Sequence, residues 1–531
     1  MSHYNLNQDI QKLSKAQYLI LFLYLVITAC IFGIHRNPSF DTYWLIKLGE
    51  IIFTNLSFAK HELLSYTASG TYWVNLEWLS ASIIYLYYHI FGETAGLIIY
   101  QVTFILLLEI ALLLIVRLYT SKIIYSILVI PLVLLVCSSR FTPRPHLMSF
   151  FFFAFFIYIW AKSQKTNNYK YLYYLIPLYV LWFNLHGAAK ISLVVLFLFW
   201  LGELIDFLSK RQDSVSKKFL IHTTIVIALC FLGGLINPFG LEAYIYTYQS
   251  TFGELRQFTG YISEWVPVLS EHAKFFLDIY FLPLALIIIG FGFFGNRQHF
   301  RLSHALGILA VFYLNWKAVR FAPYLAILGC YITIYNLKDF KIKHEKSLLY
   351  FMLFLTWLTI FKLSYDTKDK FYPLQASGGV APKELVNFLE ENDIHGHPFH
   401  NYPLGAYLSF RRWPKEKIFM DGRTHVYGVE LFQDYLVVFS KYLEAIPVFE
   451  KLKEKYDIDY IIFTVGDIKK KKPLASYLLN QPEWKLVYSD EYGLVLLKDI
   501  PKFKPLIAKF EQKELDPKLL KKIEEKDNNN N

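Results

Sequence analysis

Long apolar runs, separated by loops that alternate between two kinds, constrain this chain to cross a membrane many times. Runs of about 17–22 residues match the hydrocarbon thickness of a bilayer, and they recur from Gln17 to Ser364. Eleven spans are expected, at 16–35, 95–116, 123–139, 147–162, 171–184, 187–209, 219–237, 274–294, 303–314, 321–336 and 347–364. One set of loops is short and basic, as in Arg117/Lys122, Lys210/Arg211/Lys217/Lys218 and Lys338/Lys341/Lys343/Lys346. Such loops stay cytoplasmic because translocating Lys and Arg is disfavoured. The N-terminus is therefore expected in the cytoplasm of a multi-pass cytoplasmic (inner) membrane protein, with the other loops outside. Trp78–Phe91 is apolar enough to be a further span, but if it crossed, every later basic loop would face outward, so Leu76–Phe91 is not counted as one. It reads instead as a juxtamembrane helix in the outer interface.

Composition agrees. Of 531 residues, 55% are hydrophobic and 18% aromatic, too apolar for a soluble protein of this size. The net charge of +11 argues against nucleic acid as a partner, because the excess lies in the basic loops and a Lys-rich tail, where insertion and anionic headgroups place it. Cys30, Cys137, Cys230 and Cys330 fall in or beside apolar runs and read as small buried hydrophobes, not a disulfide framework or metal cluster. The run Gln17–Ile34 lacks a cleavage pattern and reads as an uncleaved first span. Beyond Ser364 the pattern shifts to charged amphipathic segments and short β-branched runs such as Ile458–Thr464. The expected organisation is a helical membrane domain over 1–364 with a long first outer loop (36–94), an extracytoplasmic α/β domain over 365–515, and a disordered tail over 516–531.

The outer loops carry polar clusters that flanking sequence does not require. Asp41 follows the first span and opens a helical pattern; it fits either an N-cap or a general base. Glu77 opens the apolar interfacial segment beside Trp73 and Trp78, a composition suited to lining a sugar site. Arg140, Arg144 and His146 lie between the third and fourth spans, and Lys317 and Arg320 between the ninth and tenth. Positive charge on the outer side runs against the orientation rule, and phosphate is the partner that guanidinium groups bind bidentately. Lys190 sits just inside the sixth span, where an ionisable side chain is a functional candidate. Asn184 and His186 in Asn-Leu-His-Gly, and Asn237 in Asn-Pro-Phe-Gly, end spans as caps or ligand groups. Glu264-Trp265 adds a carboxylate–aromatic pair. No cluster has metal-site spacing, so no cofactor is expected and a divalent metal has no support. Asp421-Gly-Arg423 reads either as a site or as a turn fixed by an ion pair beside a required Gly, the turn being the commoner chemistry.

These motifs resemble the glycosyltransferase C superfamily of polytopic membrane enzymes, which includes protein mannosyltransferases, lipid A aminoarabinose transferases and oligosaccharyltransferase subunits. Asp41 occupies the position of the acidic residue that follows the first span in that superfamily, and Glu77–Phe91 that of a juxtamembrane helix. Several members have an acidic pair where this chain has Asp41 alone. The series Asp41-Thr-Tyr-Trp with Gly49, Ser65-Tyr-Thr, Trp73…Glu77-Trp-Leu, Arg144-Pro-His, Trp182…Asn-Leu-His-Gly, Asn237-Pro-Phe-Gly, Glu264-Trp and Asp421-Gly-Arg…Tyr427-Gly is similar to a set of uncharacterised bacterial membrane proteins near it. The resemblance implies a cell-envelope glycosyltransferase, hexosyl- or pentosyl-, that uses a polyprenyl-phosphate-linked sugar donor and an acceptor glycan, lipid or protein.

On that expectation Asp41 is the general base, with Glu77 next. Arg144, Lys317 and Arg320 hold the donor phosphate. His186, Glu77, Glu264 and the nearby tryptophans, Trp265 among them, orient sugar or acceptor, and Arg140, His146, Asn184, Lys190 and Asn237 complete the substrate-binding set. A transporter of a polar solute or lipid would carry ionisable groups near the midplane, where only Glu109 lies. A non-catalytic membrane assembly protein, with the outer domain as its binding part, is the other alternative.

Overall fold

The computed structural model describes residues 14–34, 39–253, 263–270, 300–337, 382–440, 442–468 and 473–528, with isolated positions between 258 and 358. The expected spans at 274–294 and 347–364 fall mostly outside the described residues. The chain divides into two compact units, residues 1–36 with 76–373 and residues 37–75 with 374–531. This division differs from the boundary expected at 364 in one respect: residues 37–75, about two thirds of the first outer loop, cluster with the C-terminal unit. Only contacts distant in sequence make that assignment, and periodicity does not report them.

Helices run Lys15–Gly33 (α1), Asp41–Asn55 (α2), Trp78–Phe91 (α3), Glu93–Tyr119 (α4), Ile123–Cys137 (α5), Pro145–Thr166 (α6), Leu175–Leu185 (α7), Ala189–Leu208 (α8), Lys217–Gly233 (α9), Glu242–Phe252 (α10), Leu302–Lys317 (α11) and Ala322–Leu337 (α12). Among the described residues, four stretches, Glu93–Tyr119, Ile123–Arg140, Pro145–Thr166 and Ala189–Leu208, are long and apolar enough to cross a membrane by themselves. In the first unit α4 packs on α1, α3 and α6, α8 on α11, and α5 on α12. The core is aromatic, with Trp160, Trp182, Tyr100 and Tyr179 fully buried.

A polar network that sequence reading missed crosses this unit. Glu203 of α8 accepts hydrogen bonds from Gln164 (2.5 Å), Ser303 (2.7 Å) and Arg301 (2.8 Å). Arg301 also donates to Tyr335 Oη (2.7 Å) and the Asp213 carbonyl (2.8 Å). Arg301 reads from sequence as an ordinary loop charge, yet it is buried. Every member of the network has a partner, as burial in a low-dielectric interior demands.

The second unit holds a four-stranded mixed sheet of Pro398–His400 (β1), Tyr460–Thr464 (β2), Trp484–Ser489 (β3) and Gly493–Lys498 (β4), in the order β1-β2-β4-β3. β1 and β2 are parallel; the β2–β4 and β3–β4 pairs are antiparallel. β2 and β4 are buried on both faces, which explains their continuous apolar sequence. Lys383–Glu391 (α13) and Tyr402–Arg412 (α14) cover the sheet, and α2 packs on α14. Tyr43 of α2 joins the same core, its ring 4.9 Å from Tyr407 and 5.4 Å from Phe410. The expected disordered tail is corrected too: Pro517–Asn528 is helical, with Leu519 and Ile523 buried. Their four-residue spacing puts both on one helix face, and that short amphipathic signal is hidden by the polar composition around it.

Candidate functional site

Between α5 and α6 the chain makes a short turn over Ser138–Arg140, and Pro145 occupies the first turn of α6, where a missing N–H costs nothing. The backbone there is tied down from several sides. Tyr100 Oη donates to the Arg144 carbonyl (3.0 Å) and Gln101 Nε2 to the Phe141 carbonyl (3.1 Å). His146 Nε2 bonds the Arg140 carbonyl at 2.7 Å. The guanidinium groups thus project from a fixed turn.

They meet at Glu264. Arg140 Nη1 lies 2.7 Å from Glu264 Oε2, Arg144 Nη1 3.6 Å from the same oxygen, and Arg320 Nη1 3.1 Å from Oε1. Arg320 also stacks over the Trp265 ring at 4.4 Å. A backbone bond from Val319 N to the Val266 carbonyl (3.0 Å) holds the two segments together. Burial opposes ionisation of Glu264, yet Arg320, Arg144 and Arg140 together hold its carboxyl far below the usual carboxylate range. Three guanidiniums therefore converge on one carboxylate. The Arg140 side chain is 8% exposed, whereas Arg144 and Arg320 are 26% and 22% exposed. Arg140 therefore anchors Glu264, and Arg144 and Arg320 are the two that an incoming anion can reach.

His186 follows the last residue of α7. Its Nδ1 is 2.7 Å from Ser149 Oγ, which accepts a hydrogen bond from Trp182 Nε1 at 2.8 Å. Its Nε2 faces Glu77 Oε1 at 3.6 Å. Burial first, and then the positive charges of Arg320, Arg144 and Lys190, push its pKa well down. The imidazole is thereby held neutral, so its approach to Glu77 is not an ion pair.

The remaining positions of this unit are placed differently. Asn184 accepts from Trp78 Nε1 (3.1 Å) and donates to the carbonyls of Val180 and Ile236, fastening α3, α7 and the end of α9. Asn237 closes its own turn through Phe239 N and the carbonyls of Gly234 and Gly240. Lys317 is exposed above Tyr313, 5.8 Å from its ring centre. Lys190 Nζ is buried, has no hydrogen-bond partner among the described residues, and lies 5.3 Å from the Phe183 ring centre.

Asp41 lies in the second unit, and the cap reading fails there. Phe40 holds the cap position, in helical conformation and without a capping bond. Asp41 Oδ1 instead accepts from Trp44 Nε1 at 3.2 Å, and a β-carbon on Gly422 would overlap the same oxygen. Next to it, Arg423 is fully buried between two carboxylates. Its Nη1 is 2.5 Å from Glu62 Oε2, and its Nη2 2.7 Å from Asp421 Oδ2. The guanidinium centre lies 4.9 Å from the Trp73 ring and 5.6 Å from Trp44. Trp73 Nε1 donates to His425 Nε2 at 3.0 Å. Backbone bonds between Tyr66 and Ile418, and between Ile418 and Leu64, extend this seam. Glu62 is the partner that sequence reading did not assign to Arg423. Among the described residues, no group of three His, Cys, Asp or Glu side chains could hold a metal ion.

The fold these elements build resembles that of solved oligosaccharyltransferase and ArnT structures. The chain is similar to the archaeal oligosaccharyltransferase AglB from Archaeoglobus fulgidus in complex with an inhibitory peptide and a dolichol-phosphate, at 11% identity and a TM-score of 0.58, over 92% of this chain and 75% of that one. The apo oligosaccharyltransferase of the same organism gives 12% identity and a TM-score of 0.54, over 90% and 75%. ArnT from Cupriavidus metallidurans bound to undecaprenyl phosphate gives 9% and 0.50, over 91% and 98%. At these identities the likeness is one of fold. Neither a family model nor a curated protein matches the sequence.

Proposed function

We propose that this protein transfers a sugar from a polyprenyl-phosphate-linked donor to an acceptor hydroxyl at the outer face of the cytoplasmic membrane. Eleven spans would form its membrane domain, and its C-terminal α/β domain would lie outside. The observation that carries the reading is the arginine cluster, in which Arg140, Arg144 and Arg320 converge on Glu264. Guanidinium groups gathered in this way suit a phosphate that gains charge as it leaves. The fold supports the same reading, since the structures it resembles include one with dolichol-phosphate and one with undecaprenyl phosphate.

In this reaction the acceptor hydroxyl gives its proton to Asp41 and its oxygen attacks the anomeric carbon. The bond from that carbon to the phosphate oxygen breaks, and its electron pair leaves on polyprenyl phosphate. Arg144 and Arg320 stabilise that leaving dianion. Glu77, His186, Lys190 and Trp265 orient sugar or acceptor, while Asn184, Asn237 and Arg140 hold the backbone and Glu264 that position them.

The test is Asp41→Asn in proteoliposomes supplied with a panel of undecaprenyl-phosphate sugars and an envelope acceptor extract. Asn keeps the shape of Asp and its hydrogen bond from Trp44, but takes no proton at neutral pH. Transfer by the wild type and its loss in a folded Asp41→Asn variant are expected. Transfer at the wild-type rate by the variant would remove Asp41 from the role of base.

A further inference from the structure

We propose that Ser149 and Trp182 lock His186 as the neutral tautomer with its proton on Nε2, so that His186 serves as a hydrogen-bond donor to an oxygen of an anionic ligand and not as a proton carrier. The inference deepens the function proposed above, and its ligand half rests on that reading.

Hydrogen-bond bookkeeping in the buried triad leads to it. Trp182 Nε1 can only donate, and it donates to Ser149 Oγ at 2.8 Å. Ser149 then has one proton to give, and His186 Nδ1 stands 2.7 Å away. Tyr324 Oη also lies near Ser149 but outside hydrogen-bond geometry. Were Nδ1 to carry the proton, Trp182 and His186 would both donate to Ser149 Oγ, whose own hydrogen would have only that poorly placed phenol to turn to. An unmade bond of that kind is disfavoured. The bare nitrogen is therefore Nδ1 and the protonated one Nε2, which faces Glu77 at 3.6 Å.

The charges around the ring fit a donor and oppose a shuttle. Arg320, Arg144 and Lys190 resist a second proton on His186, as does the neighbouring His146 when charged, and Glu77 is the acidic group facing Nε2. A neutral N–H among cations adds a directed donor to an anion site without adding charge. In this arrangement Ser149 and Trp182 are positioning residues that act through His186, whereas His186 touches the ligand. The outward residues of the site were visible in the sequence; the serine behind them lies inside the phenylalanine-rich run of α6, where nothing marks it.

The experiment has two arms. In the first, the full-length protein in detergent, labelled with 15N-histidine and assigned by His186→Gln, is titrated from pH 5 to pH 8 without ligand. One bare and one protonated ring nitrogen, with the proton on Nε2 throughout, is expected. Ser149→Ala is expected to bring in the other tautomer, and Ser149→Thr to restore the first. A proton on Nδ1, a doubly protonated ring at pH 7, or an unchanged tautomer in Ser149→Ala would overturn the lock. In the second arm undecaprenyl phosphate is the probe. His186→Ala should weaken its binding by about tenfold to a hundredfold, the size of a hydrogen bond to a charged group. His186→Gln, which keeps a donor near the Nε2 position, should stay within a few-fold of wild type. Equal losses in both variants, or none in either, would overturn the donor role. The first arm needs no ligand, so it stands even if the proposed reaction fails.

Discussion

Gly422 lies against Asp41 so closely that any side chain there would overlap the Asp41 carboxylate. The need for glycine thus comes from the approach of another residue, not from a left-handed backbone, since Gly422 is not among the positive-φ glycines. The Asp421-Gly-Arg423 loop and the residue following the first span are therefore one piece of structure. Gly422→Ala should displace the carboxylate, weaken its bond to Trp44 and destabilise the protein by about 1–3 kcal/mol. In an Asp41→Ala background the same change should cost less, with a coupling of about 0.5–3 kcal/mol. Denaturant unfolding of the four proteins checks this, and an equal cost in both backgrounds would contradict it.

Arg423 is the second test of that seam. It is buried with Glu62 on one side and Asp421 on the other, and the tryptophans cover it. Arg423→Met leaves two buried carboxylates without their cation, a loss of about 3–5 kcal/mol. Arg423→Lys should recover little of it, because an ammonium cannot reproduce the planar fork that meets both carboxylates. Melting temperatures of the purified variants decide the matter, and a lysine variant as stable as wild type would contradict the geometry.

How much of this was legible in the sequence depends on the range of the interaction. Helical periodicity and loop charge locate α4, α5, α6 and α8, because each span is a local apolar run. Arg144, Arg320, Glu264 and His186 stand out in the sequence because they form polar clusters between apolar runs that flanking sequence does not require. Their partners were hidden. Glu62 and Arg423 are joined across most of the chain, and Ser149 and Arg301 look like background in their segments. The helix over 517–528 escaped because two apolar residues on one face, Leu519 and Ile523, are a weak signal beside many charges.

Acidification provides a test of the second unit. His400 accepts from Phe419 N on Nε2 and bonds the Asn401 carbonyl through Nδ1, and His425 accepts from Trp73. Burial, chiefly, holds both pKa values down at about 4, with Arg423 adding to the effect at His425. An unfolded histidine titrates near 6.5, so between pH 6.5 and pH 4 the unfolded chain binds more protons and stability falls as pH falls. The expected loss between pH 7 and pH 5 is roughly 2 kcal/mol per histidine. His425→Gln should flatten the slope of unfolding free energy against pH, and an unchanged slope would count against a neutral His425.

The central claim is that the arginine cluster is a phosphate site, and binding of undecaprenyl phosphate to Arg144→Ala, Arg320→Ala and Lys317→Ala tests it most directly. Each of the two reachable guanidiniums should supply charge-assisted bonds of about 1.5–3 kcal/mol, so each loss should weaken binding about tenfold to a hundredfold. Lys317 is exposed above Tyr313, and its removal should leave affinity within about twofold, consistent with a surface charge screened by solvent. Wild-type affinity in folded Arg144→Ala and Arg320→Ala proteins would contradict the account.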